Sequence, residues 1–205
     1  MLFQNTYGHT LGEERSAKLQ RVLDKRQDDL TVIFENVNDP HNIAAVLRTC
    51  DAVGISEVYV LNTRENKHKR FSRTASSSAN KWIKVHSFSE VKSCFEAVRL
   101  KYPTIYSTHL GEDSKDLYDL NLTAPTALVF GNEKDGVSAD CLPYCDGNFI
   151  IPQVGMIESL NISVACAVSV YEAFRQKRLQ HHYNASRLKE ASRQQIMEHW
   201  GVQKP

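Results

Sequence analysis

The chain has 205 residues, 41% of them hydrophobic and 24% charged, with a formal net charge of +1 at pH 7. That length suits one domain with appendages, buries about 70% of the unfolded surface, and carries an ordinary soluble, globular composition. The longest mostly apolar run, Ile162 to Phe174, is broken by Ser169 and Glu172 and is too short to span a bilayer, so no membrane partner is expected.

Glu13 to Arg26 sets Ala17, Leu19, Val22 and Leu23 among charges and predicts a short amphipathic helix. A strand follows at Thr31–Glu35. Asp39 as cap and Pro40 in the first turn then open a helix that ends at Gly54. Glu57–Leu61 reads as a strand and Thr63–Asn80, polar, basic and serine-rich, as a long loop. Next come a weak strand at Ile83–His86 and a helix at Ser89–Leu100. Strands at Thr104–Thr108 and Thr126–Phe130 are separated by an irregular Asp113–Leu122. A short helix at Ala139–Tyr144, a strand at Phe149–Ile151, a long helix at Leu160–Lys177 and an amphipathic helix at Arg187–Trp200 complete the series. Alternation of this kind predicts an α/β domain with a mainly parallel sheet flanked by helices.

Charge is unevenly distributed. Three blocks, Arg15–Arg26, Arg64–Lys84 and Arg175–Arg193, hold 18 of the 25 Lys and Arg residues, whereas the stretch from His86 to Phe174 is acidic. Concentrated positive charge on a nearly neutral chain is the footprint of a polyanion-binding protein, which makes nucleic acid the expected partner. The N-terminus, MLFQNTYGHTLGEER, has no basic segment leading into an apolar one, so secretion is not expected and the cytoplasm is. Five cysteines, three of them inside apolar segments, fit buried free thiols in a reducing compartment. Cys141 and Cys145 lack a second ligand pair of suitable spacing, so no metal is expected.

Three segments carry chemistry. Ile151–Gln176, IPQVGMIESLNISVACAVSVYEAFRQ, runs from a strand through a polar turn with Gly155 into a long helix with Ser159 and Asn161 at its mouth. Taken alone, either residue reads as a helix cap. Beside it stand Glu35–Gly54, ENVNDPHNIAAVLRTCDAVG, and Thr126–Ser138, TALVFGNEKDGVS. Asn42 and Arg48 lie six positions apart, about 120° around a helix, and cannot share one helical face. The chain carries neither a G-x-G-x-x-G after a strand nor a phosphate-binding lysine loop, so an ordinary dinucleotide site is not expected.

Together, in this order, the three blocks resemble the motifs of the SpoU (TrmH-type) branch of the SPOUT RNA 2′-O-ribose methyltransferases. Asn42 and Arg48 match the first motif, Gly131 and Glu133 the second, and Ser159, Leu160 and Asn161 the third; the likeness runs from about Arg15 to Arg178. The resemblance implies a deep C-terminal trefoil knot holding S-adenosylmethionine, with Thr108, Gly131, Ile151 and Leu160 around the adenosine. It implies a catalytic set of Asn42, Arg48, Glu133, Ser159 and Asn161, with Glu133 steadying the motif loops and Arg48 nearest the chemistry. A literal base would need a neutral guanidine, and bringing a pKa near 13 down to 7 costs about 8 kcal/mol. Arg48 is therefore expected to clamp phosphate and orient the 2′-hydroxyl.

The flanking sequences ERSAKLQRVLDKRQDDLTV and YEAFRQKR resemble the subgroup that modifies guanosine-18 of tRNA. They imply a homodimer, an RNA-binding helical extension over residues 1–30, a methyltransferase domain over 31–178 and a helical tail over 179–205. Arg15, Arg21, Arg26, Arg175 and Arg178 are the expected phosphate contacts. Another tRNA position, ribosomal RNA, or a non-catalytic RNA-binding module remain open on the same motifs.

Overall fold

In the computed structural model, which describes residues 2–64 and 79–204, seven parallel strands form the central sheet. They are β2 (Leu30–Glu35), β3 (Glu57–Leu61), β4 (Lys84–Phe88), β5 (Thr104–Thr108), β6 (Lys115–Asp116), β7 (Thr126–Phe130) and β8 (Gly147–Ile150). Their spatial order is β4-β3-β2-β7-β5-β8-β6, and every neighbouring pair is parallel. Parallel strands covered on both faces read as unbroken apolar runs, which is why LTVIFE and TALVF are buried from end to end.

Alternation along β2 divides the interior in two. Val32 and Phe34 face α2 (Pro40–Val53) and α4 (Ile162–Leu179), joining Ile43, Leu47, Cys50, Cys166 and Val170. Ile33 faces the other way, toward Phe95 and Val98 of α3 (Val91–Arg99). Asp39 caps α2 through His41 N–H, with Pro40 in the first turn, and left-handed Gly54 ends it. Some boundaries differ from expectation. The segment expected to be irregular contains β6, and Asp116 then accepts from Tyr118 N–H to start a single 3₁₀ turn. The expected helix at Ala139–Tyr144 is only a 3₁₀ turn at Leu142–Tyr144. Most of the expected long loop lies outside the described residues.

The segments flanking the sheet pack on each other. α1 (Glu13–Lys25) and α5 (Glu190–His199) share a cluster of Phe3, Leu19, Leu23, Ile196, Trp200 and Val202. The short strands β1 (Gln4–Asn5) and β9 (Val202–Gln203) pair antiparallel beside it. Trp200 donates from Nε1 to the Trp82 carbonyl at 3.1 Å, tying the unit to the start of β4. The apolar faces of α1 and α5 are thus filled within one chain.

At the amino end of the sheet, Glu57 accepts from Lys101 Nζ (2.8 Å) and the Tyr102 hydroxyl (3.0 Å), with His86 Nε2 at 3.0 Å. Burial opposes its charge, but hydrogen bonds from His86 and Lys101 outweigh it and hold the carboxyl down at about 2. A depressed carboxyl stabilises the fold above its unfolded value, about 4.3, and that contribution disappears as pH falls through about 2. Thermal unfolding of Glu57→Gln and wild type is expected to show a stability gap at pH 7 that narrows steadily below pH 4. A gap independent of pH would remove Glu57 as an acid-sensitive tie.

Candidate active site

Adjacent strands β7, β5 and β8 release their chains at the same edge of the sheet, where open α/β folds place ligands. Their three loops line a cleft of 840 Å³. Thr108, Gly131, Ile151 and Leu160, expected around the adenosine, all line it, and so do Glu133 and Ser159. Phe130, Phe149 and Ile162 give the cleft an apolar back wall. Among the described residues, no backbone group from Gln153 to Leu160 pairs with another backbone group, so this loop presents donors and acceptors to whatever enters. An apolar slot bordered by backbone polar groups suits a nucleoside.

The mouth is ordered by a chain of side-chain amides. Asn42 donates through Nδ2 to Glu133 Oε1, so the Asn42 carbonyl faces the other way. It accepts from Asn161 Nδ2 at 3.1 Å. That in turn leaves the Asn161 carbonyl as N-cap of α4, taking Ser163 N–H at 2.9 Å. Asn161 is therefore both a cap and a link between motifs, and the network joins the starts of α2 and α4 to the loop after β7.

Gly131 lines this cleft, but the cause of its being glycine lies in the chain itself. A β-carbon there would stand 2.0 Å from the Gly136 carbonyl carbon and 2.2 Å from Val137 N, so the chain's own backbone, not a ligand, demands glycine. The hairpin that presses on it is closed by bonds between Asn132 and Gly136, 3.1 and 2.8 Å long.

The SpoU rRNA Methylase family matches residues 29–171. The chain is 40% identical over 188 residues to the tRNA (guanosine(18)-2′-O)-methyltransferase of Thermus thermophilus, covering 92% of this chain and 96% of that one.

The chain belongs to the SpoU methylase family.

Its fold superimposes on the TrmH/SpoU tRNA modifying enzyme of Aquifex aeolicus with a TM-score of 0.82 at 34% identity, over 92% of this chain and 95% of that one. It also matches the SpoU methyltransferase AviRb of Streptomyces viridochromogenes in complex with the cofactor AdoMet, with a TM-score of 0.64 at 25% identity, over 77% and 62% of the two chains.

Within this SpoU fold the structure gathers Asn42, Glu133, Ser159 and Asn161 at the cleft, but not Arg48. Arg48 lies on the exposed side of α2 and makes no ion pair among the described residues. Arg15, Arg21, Arg175 and Arg178 are exposed, although Arg175 makes two bonds to Glu172, of 2.8 and 2.7 Å. Arg26 must be withdrawn as an RNA contact. It is 1% exposed, paired with Asp51, donating to the Ile55 carbonyl and stacked over Trp200. Lys177, one of the cations of the Arg175–Arg193 block, is likewise buried, against Asp29 at 2.9 Å.

Sequence reasoning missed Glu35 and Asn36. Buried Glu35 accepts from Ser138 N–H at 2.8 Å. Asn36, with a left-handed φ of 53°, accepts from Thr63 N–H at 3.0 Å through its side chain. Its carbonyl accepts from Asn132 Nδ2, also at 3.0 Å. These two residues anchor the loop that carries Glu133. Alternation was the available signal: Glu35 falls on the same buried face as Ile33. Among the described residues no cluster of His, Cys, Asp and Glu could hold a metal, and no helix is long and apolar enough to cross a membrane.

Proposed function

We propose that this protein methylates the 2′-hydroxyl of guanosine-18 in tRNA, with S-adenosylmethionine as donor. The observation that carries the reading is the cleft itself, where three motif loops meet under the Glu133–Asn42–Asn161 network. The relatives named for this reaction support the choice of RNA and of position. The donor supplies a methyl group already activated on a sulfonium. What remains for the protein is placement: Thr108, Gly131, Ile151 and Leu160 hold the adenosine, the loops forming the knot around it. Arg48 fixes the ribose by its phosphate and stabilises charge growing on the oxygen. Ser159 stands at the cleft mouth near the incoming hydroxyl.

The same reading makes the protein a cytoplasmic homodimer. Arg48 sits outside its own cleft, so a second copy is needed to bring an arginine to each site. An apolar surface borders the cleft: Val154 and Met156 are fully exposed, and Val164 and Tyr171 share one face of α4 at i, i+7. Burial of that surface between two copies removes it from water. Arg15, Arg21, Arg175 and Arg178 contact phosphates, setting the register without reading bases.

Transfer of labelled methyl from S-adenosylmethionine to unmodified tRNA transcript tests the reading. Label is expected in tRNA at nucleotide 18, with no loss in EDTA, and the active species should run as a dimer in light scattering. Label confined to ribosomal RNA, or no label in any RNA, overturns it.

A further inference from the structure

Beyond the cleft, a second groove of 600 Å³ opens where α1, the end of α2 and the end of α4 meet. Its rim is basic, with Arg21 and Lys25 from α1 facing Arg178 in the last turn of α4, and with His181 just past the helix end. Its floor is apolar and aromatic. Val22, Ala52 and Phe174 lie beside Tyr183, whose ring meets Phe174 edge-on at 4.8 Å and whose hydroxyl is fixed to the Val53 carbonyl at 2.8 Å. Asp51 stands in the wall with Oδ1 held by Arg26. Among the described residues only Asn36 and His181 have non-glycine left-handed backbone. Left-handed His181 closes α4 in a Schellman cap, its N–H on the Arg178 carbonyl and the His182 N–H on the Lys177 carbonyl, both at 3.0 Å, and this fixes the rim beside the groove.

We propose that this groove holds one unpaired nucleotide of the RNA substrate, base on the aromatic floor and phosphates on the basic rim. The proposal rests on the tRNA reading above but assigns something different, a contact with a base rather than with the backbone. A polyphosphate alone would call for the cations and not for the floor. An aromatic surface inside a ring of cations is how unpaired bases are bound without strong sequence preference. The Asp51 carboxylate adds an acceptor for N–H groups on a base edge.

Placement supports the assignment. α2 and α4 start together at the cleft, joined through Asn42 and Asn161, and end together at the groove, joined through Val53, Phe174 and Tyr183. From Asn42 to Ala52 is about 15 Å along α2, a distance bridged by a few nucleotides. One RNA strand can then reach both, so the groove sets which nucleotide arrives at the methyl donor.

Two measurements on the full chain test this. In the first, tRNA transcripts each lacking one base near the methylated nucleotide are bound to wild type and to Ala52→Phe. Ala52 is exposed, so the phenyl ring fills the groove without touching the core. One abasic position is expected to weaken wild-type binding about tenfold, and to cost nothing further in Ala52→Phe. If no abasic penalty vanishes in the variant, the groove holds phosphate only or a protein partner, and the proposal falls. In the second, wild type is cross-linked by ultraviolet light to a mixed-sequence single-stranded RNA, with linked peptides mapped by mass spectrometry. A base linked within residues 174–184 is expected; none there overturns the proposal. This arm needs no methyl transfer, so it separates failure of the groove from failure of the tRNA reading, and it stands if Ala52→Phe does not fold.

Discussion

Gly131→Ala is expected to abolish measurable S-adenosylmethionine binding, raising the dissociation constant at least a hundredfold, while the sheet stays folded. The added carbon would overlap backbone atoms of Gly136 and Val137 at 2.0 to 2.2 Å, and no rotamer relieves a clash with backbone. The hairpin must move, and its two Asn132–Gly136 bonds are lost together with the position of Glu133. Such overpacking costs about 1–3 kcal/mol, small enough for the domain to survive and large enough to open an exposed loop. Titration calorimetry measures the binding, and circular dichroism the fold. Unchanged cofactor affinity in Gly131→Ala would remove the assignment of this cleft. A larger residue such as valine fails for the same reason, before its branches ever approach the adenosine.

Arg48→Ala is expected to lower turnover by at least a hundredfold, with cofactor affinity unchanged because the side chain lies outside the cleft of its own chain. Arg48→Lys keeps a charge for phosphate but loses the planar fork, so RNA affinity is partly retained and most turnover is not. Single-turnover assays with saturating tRNA separate the two effects. Wild-type turnover in Arg48→Ala would sink the catalytic role.

Much of this architecture is legible in the amino acids because burial is. LTVIFE and TALVF are apolar throughout since both faces of the sheet are covered, and the Asp39, Pro40 and Gly54 signals mark α2 at both ends. The long helix begins at Ile162 rather than Leu160 because Asn161 caps it, a choice obscured by Ser159, an equally good cap two residues earlier. β6 has only two residues and no pattern of its own; pairing with β8 creates it.

Charge is harder to place than hydrophobicity. Arg26 sits in a basic block, yet Leu19, Leu23 and Arg26 follow at i, i+4 and i+7, and all three are buried. Counting cations missed that spacing. The cleft residues are legible through motif likeness, and their geometry supplies causes the motifs do not contain. Gly131 yields to backbone, and Asn42 is oriented by a carboxylate on one side and an amide on the other.

The pairing of Gln4 with Gln203 has a consequence for how the molecule is made. A ribosome delivers residue 4 long before residue 203, so the partner of β1 and most of the cluster under α1 do not exist while the sheet is being synthesised. α1 must wait, its Leu19 and Leu23 face uncovered, until α5 and β9 have left the exit tunnel. The clasp over Trp200 can close only once those residues have emerged, and a nascent chain halted before them carries an apolar helix open to chaperones.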